Sequence, residues 1–217
     1  DASGKALVLK ANNYGIKNAT TNSVNIKADS LKIEVNGSTA NGINIENTAS
    51  GLTKVVIDAK TDVTNEGSTS FGIKATGNTQ VELKKDVSVK SYNIGKYPSE
   101  WSSAGIYAAA NFNAAASGNR AATVSIDGTY AYEGNGVGAF VNGEGSTINL
   151  NGSVDIKANN DKLAALQTQN GTINVNMANP GKGNVVSING NAFVDAGSAN
   201  NGNKVVTSAI NINMDTA

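Results

Sequence analysis

Residues 71–74 read FGIK, and the interpretation of that four-residue word decides the fold. Its pattern of a small residue followed by an apolar one runs through the chain: YGIK at 14, NGIN at 41, FGIK at 71, AGIY at 104, VGAF at 137, AALQ at 164 and SAIN at 208. The spacings are 27, 30, 33, 33, 27 and 44 residues. Recurrence at such a period marks a chain of stacked units, each too small to bury its apolar side alone.

Each interval holds a second element: VNIKADSLKI from Val24, VVIDAKTDV from Val55, VELKKDVSV from Val81, VSIDGTYAY from Val124, INLNGSVDI from Ile148 and VVSINGNAF from Val185. In every one an alternating apolar-polar strand leads to a polar turn and then to another alternating strand. Three short strands and three turns per interval describe one coil of a parallel β-helix. Coils stacked about 4.8 Å apart share one continuous core. The expected fold is therefore all-β, a solenoid of about six irregular three-strand coils. Ile16, Ile43, Ile73, Ile106, Ala139, Leu166 and Ile210 are expected to form one interior stack, and Val24, Val81, Val124 and Ile148 another. Gly15, Gly42, Gly72, Gly105 and Gly138 fit a structural corner, where the backbone bends sharply or approaches its neighbour too closely for a Cβ.

Composition agrees with this reading. Glycine is abundant at 24 residues and proline nearly absent at 2, and Asn-Gly pairs such as Asn36-Gly37, Asn151-Gly152 and Asn189-Gly190 are strong turn signals. Seventeen basic residues balance seventeen acidic ones, so nucleic acid and anionic membrane are poor partners for this chain. The absence of histidine and cysteine removes Ser-His-Asp catalysis, thiolate chemistry and ordinary zinc sites. No apolar run of about 18 residues is present to span a membrane as a helix. Asp1 in place of an initiator Met points to a processed or excised segment whose targeting sequence lies elsewhere.

The coils opening with GI, the NG turns and the Asn/Thr/Ser/Gly-rich, cysteine-free composition resemble the passenger domains of Gram-negative autotransporters, the pertactin-like adhesins. The resemblance covers roughly residues 14–213 and lies in coil grammar. It implies a right-handed helix, in keeping with the general preference for right-handed crossovers. It also implies secretion across the outer membrane, extracellular display at the bacterial surface, a part in virulence, and adhesion to a receptor or glycan on a host or neighbouring cell.

Parallel β-helices also serve as polysaccharide lyases and glycosidases, which need paired carboxylates across a groove. Asp29, Asp58, Asp86 and Asp127 recur near one corner, but Asn151 and Asn189 replace them in later coils, as expected of residues that cap a turn through their own backbone. The outward residues Lys32, Glu34, Ser88, Lys90, Asp155, Lys157 and Asp195 mix both signs, as on a solvated face that pairs charges between coils. No enzyme activity, cofactor or metal is expected.

The chain reads as a single segment over 1–217, with 1–13 as an N-terminal start or partial cap and coils over 14–213. Insertions at 91–103, 111–121 and 177–184 exceed the coil minimum, and loops on a rigid scaffold carry recognition more often than the scaffold does. The first, SYNIGKYPSEWSS, holds the only tryptophan and two of six tyrosines. Tyr92, Lys96, Tyr97 and Trp101 are the candidate ligand-binding residues, joined by Arg120, the only arginine. Equally open from sequence is that Tyr97 and Trp101 cover the flank of the rod, while for Arg120 plain exposure is the favoured reading over binding. A structural rod or a self-associating subunit of a surface layer or filament is the alternative to an adhesin.

Overall fold

Alternation in the repeated words becomes strand, and each strand pairs with its equivalent one turn later. The computed structural model describes residues 1–92, 103–110, 120–159, 163–178, 181–195 and 208–214, with no helix among them. Two strands form each early turn: β1 (Ala2–Ala11) and β2 (Tyr14–Asn18), β3 (Val24–Val35) and β4 (Thr39–Asn47), then β5 (Thr53–Asn65) and β6 (Thr69–Gly77). Three form each later turn, beginning with β7 (Thr79–Leu83), β8 (Val87–Ser91) and β9 (Ser103–Ala109). Next come β10 (Ala122–Ile126), β11 (Tyr130–Gly134) and β12 (Val137–Asn142), then β13 (Thr147–Leu150), β14 (Val154–Ala158) and β15 (Ala164–Gln169). β16 (Thr172–Val175), β17 (Val186–Asn189) and β18 (Asn191–Asp195) follow, and β19 (Ala209–Ile212) pairs onto β16.

Pairing is parallel throughout. The first sheet divides at β5, which pairs with both β7 and β8 through Ile57↔Leu83 and Thr61↔Val87. One ribbon continues through β10, β13, β16 and β19, and the other through β11, β14 and β17. The second sheet runs β2-β4-β6-β9-β12-β15-β18. This is a parallel β-helix.

The early turns depart from the expected strand-turn-strand. VNIKADSLKI and VVIDAKTDV each lie within one long strand, with Ala28 and Ala59 buried where the direction changes. A methyl group fits the inside of that bend. By register the position of Ala59 falls on Lys85 in the next turn, where a charged chain must face solvent and the strand breaks into β7 and β8.

One buried cluster runs the length of the rod. Ile16, Ile43, Ile73, Ile106, Ala139 and Leu166 stack in register on the second sheet. The seventh member is Ala192, paired with Leu166, and not Ile210. Ile210 pairs with Ile173 and ends the other column, Val24-Val55-Val81-Val124-Ile148-Ile173-Ile210. SAIN thus resembles the second-sheet words but belongs to the first sheet, and its asparagine joins an amide row there.

Gly15, Gly42, Gly72, Gly105 and Gly138 sit within strands of the second sheet, not at its corners. Close approach is what demands them. A Cβ on Gly42 would strike Val63 Cγ1 and the Gly72 carbonyl, and one on Gly105 would strike Tyr130, Tyr132 and the Gly138 carbonyl. The pairing pattern skips these residues, as in Asn41↔Phe71 followed by Ile43↔Ile73, so that residues on both sides of the glycine keep their facing.

Two of the expected turn acids, Asp29 and Asp86, cap neighbouring coils, while Asp58 pairs with Lys85 and Asp127 with Lys84 and Asn151. Gly4 N–H donates to Asp29 and Thr129 N–H to Asp86, both at 2.9 Å. In a stack, a free N–H at a corner lies within reach of the coil before or after it. Within the third expected insertion, 177–184, the described residues belong to the connection between β16 and β17, at the corner spanned elsewhere by 127–129 and 151–153.

Candidate binding face

The outer face of the second sheet is set by residues flanking the glycine in each word. Those before it form the column Tyr14-Asn41-Phe71-Ala104-Val137. Those two places after it form Lys17-Asn44-Lys74-Tyr107-Phe140-Gln167. A face turned away from the core would ordinarily be solvated. Here Phe71 is 5% exposed and Phe140 0%, and with Ala104 and Val137 they make a second apolar cluster against which Tyr107 and Leu163 pack.

Three rings run across the coils at centroid separations of 5.2 Å (Phe71 to Tyr107) and 5.3 Å (Tyr107 to Phe140), tilted by 39° and 47°. These are favourable tilted pairs. Burial pushes the Tyr107 hydroxyl above its ordinary pKa, so it stays neutral and accepts a long 3.5 Å hydrogen bond from Asn142 Nδ2.

Toward the N-terminal coils the same face turns polar. Lys17 Nζ lies 4.5 Å from the Tyr14 ring centroid, and Lys74 Nζ lies 5.9 Å from that of Phe71 while pairing with Glu46 at 3.2 Å. Burial raises the Glu46 pKa, but the charge and hydrogen bond of Lys74, a hydrogen bond from Asn44 and the charge of Lys17 outweigh it and hold the carboxyl ionised, below its ordinary value. Between the two lysine-bearing strands sit Asn41 and Asn44, 2% and 0% exposed. Asn41 Oδ1 has no hydrogen-bond partner, and the side chain of Asn44 bonds to the Glu46 carboxyl two residues on. A buried amide oxygen without a partner is costly and rarely retained without a reason.

Among the described residues no group of three or more acidic side chains is placed to hold a metal. The resolved carboxylate shifts are all downward, at Glu34, Glu46 and Glu82, the opposite of what a general acid needs at neutral pH. A separate cavity of about 540 Å³ lies at a corner of the first coils, lined among others by Lys10, Asn12, Glu34, Asn36 and Glu66.

Of the residues singled out from sequence, Tyr92 follows β8 and is half-buried, its N–H donating to the Asn65 carbonyl at 3.0 Å. Arg120 is tied down: Nη1 donates to the Thr48 carbonyl at 2.9 Å, linking the start of one coil to the corner of an earlier one. Lys96, Tyr97 and Trp101 lie outside the described residues. The face itself was missed in the sequence analysis, although its signal is in the quoted words: their fourth letters read K, N, K, Y, F and Q from 17 to 167. Compared with known proteins, the chain matches no family model, no curated protein and no solved structure.

Proposed function

We propose that the chain is a non-catalytic recognition segment displayed on a bacterial cell surface, with the rod as scaffold and the outer face of the second sheet as the surface that meets a receptor or glycan. The observation that supports this most is the composition of that face: a buried row of rings, Phe71, Tyr107 and Phe140, stands on the side of the sheet turned away from the core. β9 lies on this face, and the expected insertions at 91–103 and 111–121 enter and leave it. Surface display and the adhesin role follow from the resemblance to autotransporter passengers and belong to the same proposal.

The chain has no cysteine, so Thr76→Cys gives a unique attachment point for a bulky maleimide on this face, and Ser88→Cys gives the control on the first sheet. Labelling at Thr76→Cys is expected to abolish binding to host cells or arrayed glycans, while labelling at Ser88→Cys leaves it intact. Equal binding by the two conjugates would sink the proposal. Incubation with polysaccharides should release no reducing ends.

A further inference from the structure

We infer that Asn189-Gly190 is a self-modification site, at which the folded chain converts its own asparagine to aspartate and isoaspartate ahead of the other Asn-Gly pairs among the described residues. The inference concerns the corner between β17 and β18 and is independent of the recognition face.

The chemistry joins a side chain to its own backbone. The Gly190 peptide nitrogen gives its proton to solvent hydroxide and bonds to Asn189 Cγ, while the side-chain nitrogen takes a proton from water and leaves as ammonia. A succinimide ring results. Water then opens the ring at one of its two carbonyls. Addition at Cγ breaks the new bond and leaves aspartate, whereas addition at the main-chain carbonyl leaves isoaspartate, with the chain running through Cγ. Glycine has no Cβ to crowd the attack, so Asn-Gly is the pair that sequence marks for this reaction.

Sequence alone offers seven such pairs within the described residues, and the fold withdraws six of them. Asn41 and Asn142 are buried, and Gly152 and Gly171 are buried behind Asn151 and Asn170. Gly37 N–H donates to the Asn12 carbonyl, Gly143 N–H to the Gln169 carbonyl and Gly136 N–H to the Tyr132 hydroxyl. A nitrogen held as a donor must first break that bond, and a buried pair must first reach water. Asn189 and Gly190 are both exposed, as in no other described pair, and the Gly190 N–H has no acceptor among the described residues. The corner also requires this glycine. Its φ is +134°, and a Cβ there would strike the Ala165 methyl.

The products differ in what they do to the coil. Asn189 stands in register with Lys157 at the end of the outward row Lys90-Glu133-Lys157. An aspartate there continues the alternation of charge beside Lys157, which already pairs with Asp155 at 3.3 Å. Isoaspartate adds a methylene to the main chain between the Asn189↔Lys157 and Asn191↔Ala164 pairings, and the two strands can no longer both keep register.

The experiment holds the full chain in mildly alkaline buffer, folded and in parallel in denaturant, and follows amide-to-acid conversion at each asparagine by fragmentation mass spectrometry. In the folded chain Asn189 is expected to convert at least about threefold faster than any of the other six, and in denaturant that lead should vanish. A lead that persists in denaturant, a folded chain in which Asn36 or another of the six converts first, or no conversion at Asn189 would each overturn the inference. Hydrogen exchange then compares aged chains with Asn189→Asp. The isoaspartate-bearing chains are expected to lose protection in β17 and β18 that Asn189→Asp retains, and equal protection in the two would overturn the effect assigned to the added methylene.

Discussion

One outer row of the first sheet, the row of Glu82, changes chemistry along the rod while the column behind it does not. In the N-terminal coils the exterior is held by ions: Lys10 and Lys32 grip Glu34 at 2.9 and 2.7 Å, Lys54 and Lys84 grip Glu82 at 2.7 and 2.8 Å, and Lys84 reaches on to Asp127 at 3.2 Å. In the C-terminal coils the row of Glu82 becomes a hydroxyl and three amides, whereas the row of Glu34 stays charged through Lys90, Glu133 and Lys157. Asn149 Nδ2 donates to Ser125 at 3.1 Å, Asn174 Nδ2 to Asn149 at 2.9 Å and Asn211 Nδ2 to Asn174 at 2.8 Å. Behind both halves stands the same column of valine and isoleucine from Val24 to Ile210. The interior fixes the fold, and the exterior needs only some cross-coil pairing that matches the strand spacing.

If the interior is common to both halves, equivalent truncations should cost alike. Ile57→Ala and Ile148→Ala, both at fully buried positions, are each expected to lose about 2–5 kcal/mol in denaturant unfolding. A large disparity would break the idea of one shared core. Next in size is the middle rung of the amide row. Asn174→Ala removes a donor and an acceptor at once and should cost about 1–2 kcal/mol, with no dependence on salt.

Acid should separate the halves. Hydrogen bonds from Lys32 and then Lys10 hold the Glu34 carboxyl down to about 2, and those from Lys54 and Lys84 lower Glu82. A carboxyl lowered in the folded state contributes stability that is present above its unfolded pKa of about 4.3 and is lost as pH falls through the folded value. Hydrogen exchange between pH 5 and pH 2, corrected for intrinsic rates, is expected to show protection falling in β1, β3 and β5 but holding in β13 and β16. Smallest is the effect of salt on a single exposed pair. Lys54→Ala should cost at most about 1 kcal/mol at low ionic strength and less in 1 M salt.

Much of this architecture is legible in the sequence because a solenoid repeats its physics. The glycine words locate the second sheet, and the apolar-x-apolar runs locate the first ribbon. Two things were hidden. SAIN imitates a second-sheet word, but the interval of 27 residues from Ala164 leads instead to Asn191, and only pairing reveals which strand takes the place. The bend at Ala28 and Ala59 was hidden because an alternating pattern crosses a corner unbroken whenever the inward residue there is small. The candidate face was obscured for a different reason. Sequence alone gives period and facing, and Phe140 or Asn44 on an outward position reads as an ordinary surface residue until its burial is seen.

The five strand glycines constrain the rod in another way. Because each strand meets only its equivalents one turn before and one turn after, the length of the molecule is a free variable while its cross-section is not. Removing residues 41–70 would join Ala40 to Phe71, its partner's successor, and bring like positions back together. Gene duplication or loss can therefore lengthen or shorten such a chain by whole turns, whereas a single added methyl on the glycine row would widen every neighbouring turn.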